Sequence, residues 1–215
     1  MNKEIYQILK LLAVLGTIIL IIAIVAFTTD VGGSKFSTFD NPSEIIDTHN
    51  VRVRQWKHYW EIHPELVDTH FRNFYYPTIY KMFVDSGFIS TKAAIYSEIP
   101  TVESGWKTLV KNDKSTAAGL WQFLYGTGTL YGVEGNERHD PLLSTRSAIS
   151  YIKDLDTFYQ GDYNKVLFAY AMGVAGLSIS MKKSKTTNPW LADLPTEAYH
   201  FAPKVLGACL YFRKE

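Results

Sequence analysis

The sequence predicts a mainly α-helical domain behind an N-terminal single-pass transmembrane helix. Residues 11–27 contain no charged side chain, apolar residues recur at steps of three and four in later segments, and strand-like alternation is scarce. The 215 residues are 47% hydrophobic, enough beyond the first 30 or so for one domain with a substantial core and too few for two large ones. Lys and Arg total 22 against 21 Asp and Glu, a net charge of +1. That balance excludes an acidic disordered chain and lacks the cationic excess of a nucleic-acid binder, so no nucleic-acid partner is expected. Cys209 is the single cysteine, which excludes an internal disulfide.

The apolar stretch 11–27 holds about 17 residues, which at ~1.5 Å each span roughly 26 Å, close to the hydrocarbon thickness. A cleaved secretory signal and a core helix are the alternatives. Ile24 is bulky where cleavage after Ala26 would want a small residue, and no lipoprotein cysteine follows. Lys3 and Lys10 precede the segment while Asp30, Asp40, Glu44 and Asp47 follow it, which orients the chain's bulk outside the cytoplasmic membrane. The expected organisation is a cytoplasmic tail and anchor over 1–29, a polar spacer with Gly32-Gly33 over 30–42, a helical extension over 43–75, and a functional domain over 76–215.

Within the soluble part, a helical region over about 43–67 is expected to break near His63-Pro64, and a second over 76–85 to end at Ser86-Gly87. Ser90 or Thr91 can cap a helix whose stripe runs Ile95, Ile99, Val102 and Trp106. Glu103 lies four residues beyond Ile99, which turns its carboxylate toward the buried flank. Pro100 predicts a bend just before it, and Gly105 loosens the exit. Ser144 or Thr145 opens a helix through Ala148, Ile152, Leu155 and Tyr159; Gly161-Asp162 stops it. A short apolar helix over 163–172, glycines at 173 and 176, a lysine-bearing loop over 180–188 and a last helix from Thr196 complete the pattern.

A glutamate on the apolar side of a helix is either a poorly hydrated general acid or a helix-edge group pairing with a lysine or a backbone turn. Residues 115–123, STAAGLWQF, offer a tight backbone at Gly119, apolar surface at Trp121 and Phe123, and donor and acceptors at Gln122. That mixture suits a sugar or amide, and equally suits a glycine turn leading into a core helix. No ordered Cys/His cluster and no phosphate-binding glycine loop is present, so neither a metal nor another cofactor is implied.

Four motifs in order resemble the soluble-lytic-transglycosylase family, related in fold to goose-type lysozyme and nearest its membrane-bound murein transglycosylase D branch. They are Glu103-Ser104 with 118–123, Tyr131-Gly132 with 138–141 and Ser144-Thr145, Phe168-Ala169-Tyr170 with Gly173, and 194–197 ending in Pro203-Lys204. The resemblance covers about 76–210 and implies a lysozyme-like catalytic domain acting on peptidoglycan glycan strands. It implies that Glu103 is the sole acid/base, protonating the bond between N-acetylmuramic acid and N-acetylglucosamine. The same carboxylate then takes the C6 hydroxyl proton to give a 1,6-anhydro product without water, with the neighbouring acetamido group stabilising charge. An ordinary glycosidase needs paired carboxylates. The nearest partners, Glu98 and Asp113, have no motif support, and Glu98 points about 140° away on a regular helix.

By the same resemblance Ser104, Gly119, Leu120, Trp121, Gln122 and Tyr170 bind or position substrate, and Phe123, Glu197 and Phe201 support the wall. Arg138 and Asp140 are expected to fix a turn. Two departures stand out: Ala171 replaces the family's asparagine, and Ala198 and Phe201 replace a threonine and a tyrosine. The expectation is a tethered peptidoglycan lyase, facing the periplasm or cell exterior and remodelling wall locally, compatible with an envelope-complex partner. The alternatives are a non-catalytic or partner-dependent glycan-binding scaffold on the same fold and a lysozyme-type hydrolase.

Overall fold

The computed structural model describes residues 45–111 and 115–213, all within the unit Thr38–Glu215. Helix α1, Val51–Ile62, starts where the Asn50 side chain accepts the Arg52 and Val53 amides at 3.0 and 3.4 Å. A 3-10 turn, Pro64–Leu66, follows the expected break at His63. Helix α2, Thr69–Asp85, begins earlier than its apolar pattern indicates because Asp68 caps it through the Phe71 amide at 2.9 Å. It runs through Pro77.

The apolar stripe 90–106 is two helices, not one bent helix. Helix α3, Ser90–Tyr96, is capped at Ile89 without a side chain, and helix α4 is Ile99–Glu103. The break falls at Ser97-Glu98, ahead of Pro100. At the second position of α4 the proline removes no intrahelical bond, since that amide is an orphan donor anyway. Beyond α4 the loop to residue 124 carries two isolated bridges, Lys111 with Ala118 and Ala118 with Phe123.

Helix α5, Tyr125–Leu130, leads to a 3-10 turn, Gly135–His139, closed by a Glu134/Glu137 capping box. Helix α6, Pro141–Phe158, starts three residues before the expected Ser144. Asp140 accepts the Leu142 and Leu143 amides at 2.9 and 2.8 Å, while Ser144 turns its hydroxyl back to the Asp140 carbonyl. Helix α7, Tyr163–Lys183, absorbs the first four residues of the expected 180–188 loop and kinks at Gly173, where φ is 77° and ψ 157°. Another 3-10 turn, Pro189–Leu191, precedes the final helix α8, Thr196–Phe212.

Helix α8 is the centre of the domain. Phe201, Ala202, Val205, Leu206 and Ala208 are buried along it, and α1, α3, α4 and α7 pack against it. A Cβ on Gly207 would lie 2.9 Å from the Trp56 Cβ and 2.6 Å from the Lys57 nitrogen, so α1 sits directly on the α8 backbone. Ile79, Phe83, Ile95, Ile99, Trp106, Trp121, Ile152 and Phe168 complete the core.

The transmembrane helix of the expected fold class requires correction. Among the described residues no helix is long and apolar enough to cross a membrane. The longest, α7, is interrupted at Gly173 and carries Lys182 and Lys183 in its last turn; α8 spends its apolar face on the core. The stretch assigned to the anchor, 11–27, and the boundaries 1–29 and 30–42 lie outside the described residues. What the structure supports is a mainly α-helical fold. The single-pass anchor, the cytoplasmic membrane as a partner and the inner-membrane location drawn from it are withdrawn.

Candidate active site

Glu103 is the last residue of α4, and the chain behind it is anchored in several places. The Ser104 amide donates to the Pro100 carbonyl at 3.1 Å, and the Ser104 hydroxyl reaches the carbonyls of Pro100 and Leu120 at 3.2 and 3.0 Å. Gly105 and Trp106 both turn through the left-handed region, with φ of 58° and 65°. A side chain at Gly105 would overlap the Leu66 carbonyl. The strain at Trp106 is held by full burial and by its indole donating to Thr101 Oγ1 at 2.7 Å. Thr101 in turn donates to Glu98 Oε2 at 2.7 Å, and Arg72 forms an ion pair with Glu98. Glu98 is thus a fully buried structural carboxylate spent on Arg72 and Thr101, away from Glu103.

Glu103 itself is half-buried. Burial pushes its carboxyl up to about 8; the nearby Glu197 charge adds to the rise and the Lys204 ammonium opposes it. No hydrogen bond to the charged form is among these causes. Tyr151 on α6 and Tyr170 on α7 both feel the Glu103 charge. Burial with that charge raises the Tyr151 phenol to about 12 and holds the Tyr170 phenol well above its ordinary value. The carboxyl therefore lies at the end of α4 within electrostatic reach of groups on α6, α7 and α8, in an environment that favours its protonated form at neutral pH.

The loop 118–123 forms one side of this arrangement, but mostly through its backbone. Gly119 has φ 77°, and a Cβ there would overlap the Arg138 carbonyl. Leu120 and Trp121 are fully buried, with the Trp121 indole donating to Thr145 Oγ1 at 2.9 Å. Gln122, at φ 47°, donates its amide nitrogen to the Gly119 and Val110 carbonyls at 2.8 and 3.2 Å. Phe123 is buried 6.4 Å from the Tyr151 ring. Arg138 clamps the loop from behind through the Thr116 and Phe123 carbonyls, the latter at 2.9 Å.

Tyr170 donates to the Trp121 carbonyl at 2.8 Å and stacks on Phe201 at 5.7 Å with a 13° interplanar angle. Glu197 is exposed in the first turn of α8, and Ala198 beside it is buried. Ala171, the other departure, faces outward. The structure thus gathers Glu103, Ser104, Tyr170, Phe201 and Glu197 with the 119–123 loop. Trp121 and Leu120 present no side chain to solvent there, and Asp113 lies outside the described residues. A hollow of about 220 Å³ between the segment after α5 and helix α6, lined by Tyr131, Val133, Leu143, Arg146 and Ser147, does not include Glu103.

Tyr151 and Trp56 escaped the sequence reading, and Lys204 entered it only as the end of a motif, with no role at the site. Tyr151 and Lys204 come from α6 and α8, and Trp56 from α1 places its ring 4.6 Å from the Lys204 ammonium. Among the described residues no cluster of His, Cys, Asp and Glu could hold a metal ion.

Residues 90–192 match the family described as Transglycosylase SLT domain. Two proteins named membrane-bound lytic murein transglycosylase D are similar to the chain, from Escherichia coli K12 and from Escherichia coli O6:H1. Each is 29% identical over 117 residues, which cover 51% of this chain and 26% of the relative. The match therefore spans about a quarter of the length of these curated relatives. Over the segment that carries Glu103, the 119–123 loop and Tyr170, the chain has family-level homology to the lytic-transglycosylase SLT domain.

Proposed function

We propose that this chain cleaves the β-1,4 bond between N-acetylmuramic acid and N-acetylglucosamine in peptidoglycan, leaving a 1,6-anhydro end. The observation that carries the reading is the half-buried Glu103 carboxyl, raised to about 8 and so protonated at neutral pH. Homology of the surrounding segment to the SLT domain, and the murein named by its relatives, supply the substrate class.

Glu103 donates its proton to the glycosidic oxygen as the bond from the anomeric carbon breaks. The resulting carboxylate then accepts the proton of the muramoyl C6 hydroxyl as that oxygen bonds to the anomeric carbon. One proton leaves Glu103 and one returns, and no water enters. Lys204 supports the transient carboxylate, while Glu197 opposes it and keeps the resting state protonated. Ser104, Gly119, Leu120 and Trp121 act by fixing backbone, because their side chains are buried or absent. Gln122 has both amide hydrogens committed to backbone carbonyls, which leaves its oxygen for a sugar hydroxyl. Tyr170 and Phe201 together form an aromatic wall.

Digestion of purified sacculi by the full chain, with products read by mass spectrometry, tests the proposal. Anhydro-muropeptides are expected from the wild type, and Glu103→Gln should bind sacculi without releasing them. Products heavier by one water would indicate a hydrolase. Binding without release by the wild type would indicate a scaffold. Equal release by both proteins would remove Glu103 from the mechanism.

A further inference from the structure

The Lys204 ammonium lies 4.6 Å from the centre of the Trp56 ring, on a helix outside the segment that matches the SLT domain. The placement is built, not incidental. Trp60, one turn further along α1, donates its indole N–H to the Lys204 carbonyl at 3.0 Å, and Gly207 lets the α1 backbone settle on α8. Trp56 is braced by Tyr59 at 4.8 Å and by His200 at 5.6 Å, both edge to face. The ammonium is half-buried, and the two carboxylates within its electrostatic reach are those of Glu197 and Glu103.

We propose that Trp56 is a positioning residue for the reaction: its ring holds the Lys204 ammonium where it acts on Glu103, so α1 completes the site from outside the SLT segment. This rests on the function proposed above. The physical argument is that a lysine carries four rotatable bonds, and its charge acts on a chosen carboxylate only if the head is held. The Trp56 ring face offers a cation a favourable seat without a competing negative charge. Carboxylate partners alone would draw the head toward exposed Glu197. With Lys204 held, Glu103 faces one cation, one anion (Glu197) and the phenols of Tyr151 and Tyr170. His200 joins the same group from α8, with its Nδ1 buried and unpartnered.

Lys204 opposes the rise in the Glu103 pKa, so releasing Lys204 should raise that pKa further. The test is the titration of the Glu103 carboxyl in the full chain, followed by 13C NMR with labelled glutamate and assigned by Glu103→Gln. Trp56→Leu should move the titration up by about half a pH unit or more, and Lys204→Met should do the same with α1 still docked. Trp56→Phe should restore most of the wild-type position. Trp60→Phe, which removes the indole bond and trims buried ring volume while leaving the Trp56 ring in place, should lower the melting temperature and leave the titration in place. The alkaline limb of anhydro-product release should follow the titration in each variant. An unchanged Glu103 titration in both Trp56→Leu and Lys204→Met overturns the proposal. So does a shift in Lys204→Met with none in Trp56→Leu. The titration is read without turnover, so a wild type that releases no product refutes the reaction and leaves this result standing.

Discussion

The Ser104 hydroxyl donates to the Leu120 carbonyl at 3.0 Å, so the residue after the acid fastens the end of α4 to the loop that faces it. Ser104 is buried, and its hydroxyl serves two backbone carbonyls. Ser104→Ala should cost about 1 kcal/mol, and up to about 3 kcal/mol if the Leu120 carbonyl is left dry. Urea unfolding gives that number. Product release should fall through a lower kcat, because the loop loosens relative to Glu103.

Glu103 also sets a pH dependence of stability. Its folded pKa is about 8, above an ordinary glutamate, so between the two values the folded state holds a proton that the unfolded state has lost. Its protonated form is tolerated fully at acid pH, and stability falls as pH rises from about 4.5 through about 8. Glu103→Gln, neutral throughout, should therefore match the wild type near pH 4 and exceed it above pH 8. The gain should be on the order of a few kcal/mol at most, since the half-buried group keeps some hydration. Equal stability of the two proteins across this range would show that the carboxyl is well solvated.

What was legible in the sequence was local. The step from Ile99 to Glu103 placed the carboxyl on a buried flank, and three of the four ordered motifs fall within residues 90–192, which match the SLT family, while the fourth lies beyond it. The bend expected just before Glu103 from Pro100 is instead a break between two helices at Ser97-Glu98. Pro100 is the second residue of α4, where its missing amide costs no helical bond, and α2 and α8 run through Pro77 and Pro203 as their apolar patterns expect. The membrane reading came from an apolar run that lies outside the described residues, and no helix within them has that character. Tyr151, Trp56 and the role of Lys204 were illegible for a different reason. Each side chain reaches the site through tertiary packing of α6, α1 and α8, and nothing in their spacing from Glu103 marks it.

Glu98 and Glu103 lie five positions apart and behave as opposites. Glu98 is fully buried with Arg72 and Thr101, while Arg72 also lies against the rings of Tyr76 and Phe212 at 4.5 and 4.2 Å. Arg72→Met strands a buried carboxylate and should destabilise by about 3–5 kcal/mol. Where the variant folds, the alkaline limb of product release should stay in place, because this pair does not face Glu103. Denaturant melts together with a pH profile separate the two effects.

Gly119 has no tolerated substitute. Its φ of 77° disfavours any side chain, and a methyl group would collide with the Arg138 carbonyl, itself fixed by the Arg138 clamp on Phe123. Gly119→Ala should destabilise by more than about 2 kcal/mol and shift the 119–122 loop. Soluble protein with a wild-type melting temperature would show that the loop can move without consequence.

Tyr170 combines a hydrogen bond and a stack, and the two can be separated. Its hydroxyl donates to the Trp121 carbonyl at 2.8 Å while its ring lies parallel to Phe201. Tyr170→Phe keeps the stack and removes the donor, which should cost about 1 kcal/mol and leave the carbonyl seeking water. Tyr170→Leu removes both and should cost more, by the loss of aromatic surface and packing against Tyr151 as well. Phe201→Tyr adds back the hydroxyl found in the resembling family. If that hydroxyl reaches substrate, KM should fall with little change in melting temperature. Since Phe201 is 7% exposed, a hydroxyl without a partner would instead lower stability by about 1–3 kcal/mol. Thermal melts and saturation kinetics on the same preparation decide which way the added oxygen acts.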